Sequence, residues 1–192
     1  KLEDLKGKTV AAMQSSGTYL MTKAWAKRFS NIVFEKDVEV QNAPNPPGTI
    51  ALVSANRADA ALSWEHSLSI GLHRVPGSKI FLNVGEYYER HTGREMPYFC
   101  VAMRSDAIKA SPPGTVEKVV KTYAEQLDWV HANEGDFAER ARGIEIDPAV
   151  IKTALSSGRM RFKMRSVADA KVRDEVLFAA NILTEGGFFE KK

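Results

Sequence analysis

Cysteine is nearly missing from this chain: its 192 residues include one, Cys100. A single cysteine excludes an internal disulfide and a zinc cluster built on cysteine alone. Its apolar surroundings, residues 98–103, predict a small buried hydrophobe rather than a nucleophile. Cysteine usage therefore leaves the redox compartment undecided.

Long apolar runs are missing as well. No stretch reaches the roughly 18–20 consecutive apolar residues that span a bilayer, and no basic and apolar leader opens the chain. The first residues, 1–8, resemble the approach to a strand in mid-fold. A cytoplasmic protein, a mature form and a trimmed chain all fit such a start.

A strong charge of one sign is also lacking. Lysine and arginine number 27 against 24 acidic residues, for a net charge of +3. This excess is too small to indicate a nucleic-acid partner, and we expect none. Hydrophobic residues at 44% and charged residues at 27% are typical of a globular protein.

Catalytic and cofactor motifs are absent too. There is no Gly-x-Ser-x-Gly elbow, no His-Glu-x-x-His pair and no glycine-rich nucleotide loop. The four histidines stand in no recognisable catalytic setting: His66, His73, His91 and His131. We therefore expect no catalytic residue, no metal site and no cofactor.

The first half of the chain does show strands that alternate with helices. Helical spacing of apolar residues predicts helices over 19–29 and 49–56. Short apolar or alternating runs predict strands at 8–13, 38–41, 58–64, 79–84 and 98–103. Successive strand–helix units predict an α/β fold with a mainly parallel sheet flanked by helices.

Two stretches between these elements read as irregular. Three prolines in 42–48 favour a loop, since proline disrupts helix interiors and central strands. Residues 85–97 are polar, and their apolar residues show no clear helical or strand period.

The run 98–103 is almost wholly apolar, which favours a strand in the middle of the sheet.

The second half is mostly helical. Apolar residues keep a helical period from Val116 to Val130, and 136–142 predicts a short helix. Asp147 followed by Pro148 is a strong helix start. Ser166 and Asp169 resemble a capping box that opens the last helix.

Residues 159–165 alternate strictly between basic and apolar side chains. An exposed edge strand whose charges discourage aggregation accounts for this pattern. The less favoured alternative is a docking surface for a partner.

The turn Ser15, Ser16, Gly17 and Thr18 is the first candidate site. It stands just before a helix, where backbone N–H groups without internal partners favour an anion. The hydroxyl groups add donors, and Gly17 permits close approach. The alternative is ordinary capping of the helix by serine or threonine.

The second candidate site follows the strand that begins at Asp59. Trp64 and Glu65, with His66 next to them, stand at its carboxyl end, where open α/β sheets gather ligands. The alternative is that Trp64 belongs to the core and its polar neighbours face solvent.

These residues resemble a known family. Residues 5–11 with the turn 15–18, then 57–65, 97–104 and 132–142, are similar in order to the type II periplasmic substrate-binding proteins of ABC importers. The members in question take nitrate, sulfonates, taurine, bicarbonate or thiamine-pyrimidine precursors. His66 departs from the pattern, because the family usually has proline there.

The resemblance implies a periplasmic-binding-protein-like fold in two lobes. Residues 1–97 would form the α/β ligand-binding lobe, and 98–192 a return strand and C-terminal helices of an incomplete other lobe. The first part of lobe one would precede Lys1. We therefore expect this chain by itself to leave apolar surface exposed on the C-terminal helices. A missing N-terminal segment or self-association would cover that surface.

The implied function is capture of a small anionic solute between the lobes and its delivery to a membrane permease. Ligand-binding residues would be Ser15, Ser16, Gly17, Thr18, Trp64 and Glu65. The implied location is periplasmic or extracellular, with a lipid anchor possible in a longer form. Two alternatives stay open: a thiamine-pyrimidine-type biosynthetic enzyme on the same fold, or a ligand-sensing regulatory domain.

Overall fold

A computed structural model describes residues 1–189. The fold is α/β, as predicted: a small parallel sheet is flanked by helices. By their internal contacts the residues group into two compact units. One comprises Lys1–Met96 with the segment from Arg173 onwards, and the other comprises Pro97–Val172.

The sheet has three parallel strands in the order β2-β1-β3. These are β1 (Thr9–Ala12), β2 (Glu39–Asn42) and β3 (Ala60–Ala61). Thr9 lies opposite Glu39, and Val10 lies opposite both Val40 and Ala60. All three strands were predicted; β1 and β3 are shorter than their sequence patterns, and β2 is shifted by one residue.

Nine α-helices occur within the described residues. In the first unit they are α1 (Gly17–Ser30), α2 (Pro46–Ser54), α3 (Ser67–Arg74) and α4 (Val84–Thr92). In the second they are α5 (Ser105–Ala110), α6 (Thr115–Ala132), α7 (Glu134–Arg140) and α8 (Pro148–Ser156). The last is α9 (Ala170–Glu185). Short 3-10 helices cover Leu2–Leu5 and Ala141–Ile144.

The core of the first unit forms where α1 covers the sheet. Trp25 is 1% exposed and packs on Tyr88 of α4, with ring centroids 4.6 Å apart. Ile32 and Val38 are completely buried in the same cluster. Burial of aromatic side chains of this size dominates core energetics. The packing of α1 against α4 is therefore stabilised mainly by this cluster.

The second unit has a smaller core, built by α7, α8 and the end of α6. Val130, Ala138, Val150 and Ala154 are buried there. The preceding turns of α6 are uncovered: Val116, Val120 and Tyr123 are 39%, 45% and 48% exposed. Apolar surface is therefore exposed on this helix, as expected, and what covers it stays a prediction.

Two predicted strands are wrong. Residues 79–83 and 98–103 have no regular structure, and Phe99 is 84% exposed. An apolar run becomes a strand only where a neighbouring strand and covering layers receive it. Within 1–189 the sheet ends at β3, so the run 98–103 joins no strand.

The same finding corrects Cys100, which is exposed rather than buried. The prediction of a small buried hydrophobe at this position is therefore wrong.

Three further predictions are wrong about where a helix begins. α4 replaces the first part of the stretch 85–97 that was predicted to be irregular, because Asn83 accepts from the N–H groups of Gly85 and Glu86 and starts a helix. Residues 93–97 are irregular, as predicted. Pro46 begins α2 instead of lying in a loop, since proline is tolerated in a first helical turn. Asp169 rather than Ser166 caps α9, by accepting from the Lys171 N–H at 2.8 Å.

The basic segment 159–165 is not a strand either. Phe162 packs edge-to-face on Phe137, with centroids 5.5 Å apart, and its carbonyl lies 3.1 Å from His131 Nε2. Side-chain anchoring on neighbouring helices takes the place of strand pairing here. The lobe boundaries drawn from the resemblance stay a prediction, and residues 190–192 of the second lobe lie outside the described residues.

Candidate functional site

All three strands end at one edge of the sheet, and a helix begins just beyond each of them. The ladder continues past the strands, because Ala43 N–H donates to Ala12 O and Leu62 N–H donates to Ala11 O. The turn after β1 is thus flanked by the turns after β2 and β3. The starts of α1, α2 and α3 consequently share this carboxyl edge.

The start of α1 carries the turn Ser15–Thr18. Ser16 is the N-cap, and its Oγ accepts from the Tyr19 N–H at 3.1 Å. Ser15 and Gly17 are exposed, and Thr18 is half-buried. The capping alternative therefore holds for Ser16, while Ser15 and Gly17 face solvent beside the end of β1.

The start of α2 offers few donors. Pro46 and Pro47 have no N–H, and the Gly48 N–H donates to Asn45 Oδ1 at 2.8 Å. A ligand that needs backbone donors would find none among these three residues.

The start of α3 is taken by an acid of the chain itself. Glu65 Oε2 accepts from Ser69 Oγ at 2.6 Å and from the Ser69 N–H at 3.3 Å. A carboxylate at this position is stabilised by the positive end of the helix dipole. Glu65, predicted to touch the ligand, thus interacts with α3, and Trp64 beside it is half-buried.

The carboxyl edge is poor in charged side chains. The connecting residues 13–18, 43–45 and 62–66 contain no lysine or arginine and one carboxylate, that of Glu65. Any attraction for an anion at this edge would come from helix starts and neutral donors. At the start of α1, by contrast, Ser15 and Gly17 are exposed and no charged residue lies in the turn.

Gln14, between β1 and the predicted turn, is held by two distant parts of the chain. Its N–H donates to Asn42 Oδ1 at 3.0 Å, and its Nε2 donates to Glu35 Oε1 at 3.3 Å. No sequence pattern indicated these contacts, because strand register and loop packing bring the partners together.

Glu35 is the centre of a polar cluster beside α1. It pairs with Lys23, and the Tyr19 hydroxyl donates to its Oε1 at 2.7 Å. The Lys23 ammonium, then the Tyr19 hydroxyl, hold the pKa of Glu35 below its usual range. Burial, with the neighbouring Glu35 carboxylate, raises the pKa of Tyr19.

The carboxyl edge also holds a neutral hydroxyl that the sequence pattern did not indicate. Ser63, next to Trp64, has a buried Oγ without a hydrogen-bond partner within residues 1–189. A serine in a run of small strand residues resembles any other small residue, so the sequence carried no signal for it.

A surface groove of the first unit lies at the opposite, amino edge of the sheet. Its volume is about 510 Å³, and its lining includes Thr9, Arg57 and Asp59. Asp59 Oδ2 accepts from the Thr9 N–H at 2.9 Å, which ties the starts of β1 and β3 together. The contact gives Asp59 a structural role at this edge.

Within residues 1–189, no group of three or more His, Cys, Asp or Glu side chains is placed to hold a metal ion. In the same residues, no helix combines the length and apolar character needed to cross a membrane.

Comparison with protein-family models, curated proteins and solved structures finds no match to this chain. The function must therefore be argued from the residues and their geometry.

Proposed function

We propose that the chain is the ligand-binding core of a solute-binding protein that serves an ABC importer. In this proposal it has the type II periplasmic-binding-protein fold and acts by binding rather than by catalysis. The solute is small and anionic, of the sulfonate, nitrate or taurine type. Partners are the membrane permease and whatever completes the second lobe, and the location is periplasmic or extracellular.

The observation that carries the proposal is the convergence of strand ends and helix starts at the carboxyl edge. Ligands of open parallel sheets gather at that edge. There the N-terminus of α1 presents Ser15 and Gly17 to solvent. An oxyanion placed against them would accept a hydroxyl and a backbone hydrogen bond and would benefit from the helix dipole.

The starts of α2 and α3 favour a solute with a single anionic group. Glu65 already supplies the negative charge at α3, and prolines remove donors from α2. A solute with one anionic group fits the remaining start better than a doubly charged one, since like charges repel. Trp64 would border the solute from the end of β3.

The first experiment is a thermal-shift screen of the full chain. Sodium methanesulfonate, nitrate and taurine are the probes, with sodium chloride as the ionic-strength control. A ligand that binds only the folded state raises the midpoint by mass action. The proposal expects at least one probe to raise the midpoint above the chloride control; equal midpoints throughout would contradict it.

Paired variants then test the location of the site. Ser15→Ala removes an exposed hydroxyl, and Thr18→Val keeps side-chain shape but removes one. Each should weaken binding of the active probe by about tenfold, the equivalent of one hydrogen bond to a charged group. Ser16→Ala, which removes the cap of α1, should lower stability by about 1 kcal/mol with little change in affinity.

A further inference from the structure

We infer that Asn42 is a positioning residue for the Ser15–Gly17 turn, an inference that rests on the proposed function. Asn42 is the last residue of β2 and makes no part of that turn. Its Oδ1 accepts from the Gln14 N–H at 3.0 Å, one residue before Ser15. The contact joins the end of β2 to the beginning of the turn.

The Asn42 contact supplies a bond that the sheet itself does not make. The β1–β2 ladder ends where Ala43 N–H donates to Ala12 O at 2.9 Å. Gln14 lies beyond this point, so its N–H has no strand partner and takes the side chain of Asn42 instead. The Asn42 side chain therefore adds one hydrogen bond beyond the end of the β1–β2 pairing, at the beginning of the turn.

The rest of the turn is held by local bonds. Ser16 N–H donates to Met13 O at 2.9 Å, and Ser16 Oγ accepts from Tyr19 N–H. With Asn42 on Gln14, both sides of Ser15 are held before any solute arrives. A site that is already ordered loses less conformational entropy on binding, which raises affinity without adding a contact to the ligand.

The chain offers a matched control in Asn45. This asparagine lies three residues beyond Asn42, is exposed like it, and accepts one backbone N–H through its Oδ1, that of Gly48 at 2.8 Å. Its bond caps α2 and does not involve the turn after β1. Asn42→Ala and Asn45→Ala thus remove equivalent bonds, one connected to the proposed site and one not.

The experiment measures hydrogen exchange of the Gln14 amide and the affinity for the probe that binds the unaltered chain. In Asn42→Ala we expect exchange at Gln14 to quicken and affinity to fall by about three- to tenfold, equivalent to one neutral hydrogen bond. In Asn45→Ala both should stay within about twofold of the unaltered chain. Asn42→Asp keeps an acceptor, so it should retain slow exchange at Gln14.

The outcomes separate the inference from the function on which it rests. Equal affinity in Asn42→Ala and the unaltered chain would overturn the positioning role while leaving solute binding intact. Equal loss of affinity in Asn42→Ala and Asn45→Ala would also overturn it, because a general loss of order would then explain both. If no probe binds the unaltered chain, the proposed function fails and the positioning role fails with it.

Discussion

Replacing Glu35 by glutamine should destabilise the first unit in a pH-dependent way. Glu35 binds Lys23 and Tyr19, and it joins α1 to the loop before β2. Glutamine keeps an acceptor for the Tyr19 hydroxyl but loses the charge that pairs with Lys23. The change therefore isolates the ionic part of the cluster.

The size of the effect follows from exposure. The side chains of Lys23 and Glu35 are 27% and 42% exposed, so water screens their attraction. Exposed ion pairs contribute about 0.2–1 kcal/mol. The nearby Tyr19 is buried at 2% exposure, which favours the upper end. We expect a loss of about 1 kcal/mol in the free energy of unfolding at neutral pH.

The pH dependence has a definite sign. Because the folded-state pKa of Glu35 is lowered, the carboxylate stabilises the fold above its unfolded pKa of about 4.3. This contribution is lost as the pH falls from that value through the lowered folded pKa. The stability difference between the two proteins should be constant above about pH 5 and vanish at strongly acidic pH.

The assay is urea unfolding followed by tryptophan fluorescence from pH 2 to pH 8. A Trp129→Phe background leaves two indoles, Trp25 and Trp64, both in the first unit. Tyr19→Phe serves as the companion variant because it removes a neutral hydroxyl bond to the same carboxylate. A difference of the same size at every pH would refute the ionic explanation.

Four further variants concern stability alone. Gly71→Ala should cost about 1–2 kcal/mol, because its Cβ would stand 2.9 Å from Ile50 Cδ1 and 3.0 Å from Ile50 Cγ2, a clash that outweighs the roughly 1 kcal/mol that alanine gains over glycine inside a helix. Gly135→Ala, in a helix with open space around it, should instead be neutral or stabilising by up to about 1 kcal/mol in the same urea titration. Asn83→Ala should cost about 1 kcal/mol through loss of the α4 cap, and an unchanged midpoint would contradict this. Phe99→Ser should change stability by under about 0.5 kcal/mol, since the ring is 84% exposed; a larger loss in thermal melts would show that it packs against something.

The elements that sequence patterns predicted correctly are those whose signals are local. The spacing of apolar residues predicts β1, β2 and α6. Asp147 as a cap, followed by Pro148 in the first turn, predicts the start of α8. The carboxyl-edge position of the Ser15 turn follows from strand–helix order alone.

The failures depend on partners that the sequence pattern did not identify. The run 98–103 has strand composition, yet no strand in the described residues receives it. The role of Glu65 depends on Ser69 one helical turn later, a spacing that is informative only once the start of α3 is known. Asn42 and Gln14 are 28 residues apart, and the β1–β2 register alone brings them together.

The most direct test of the account is a backbone amide NMR titration of the full chain with the probe that raises its thermal midpoint. Solute binding at the carboxyl edge predicts saturable shifts at the amides of Ser15 and Gly17, with smaller shifts near Trp64. Shifts confined to Arg57 and Asp59 would place binding at the amino-edge groove and contradict the proposed site. Absence of saturable shifts at any amide would contradict solute binding itself.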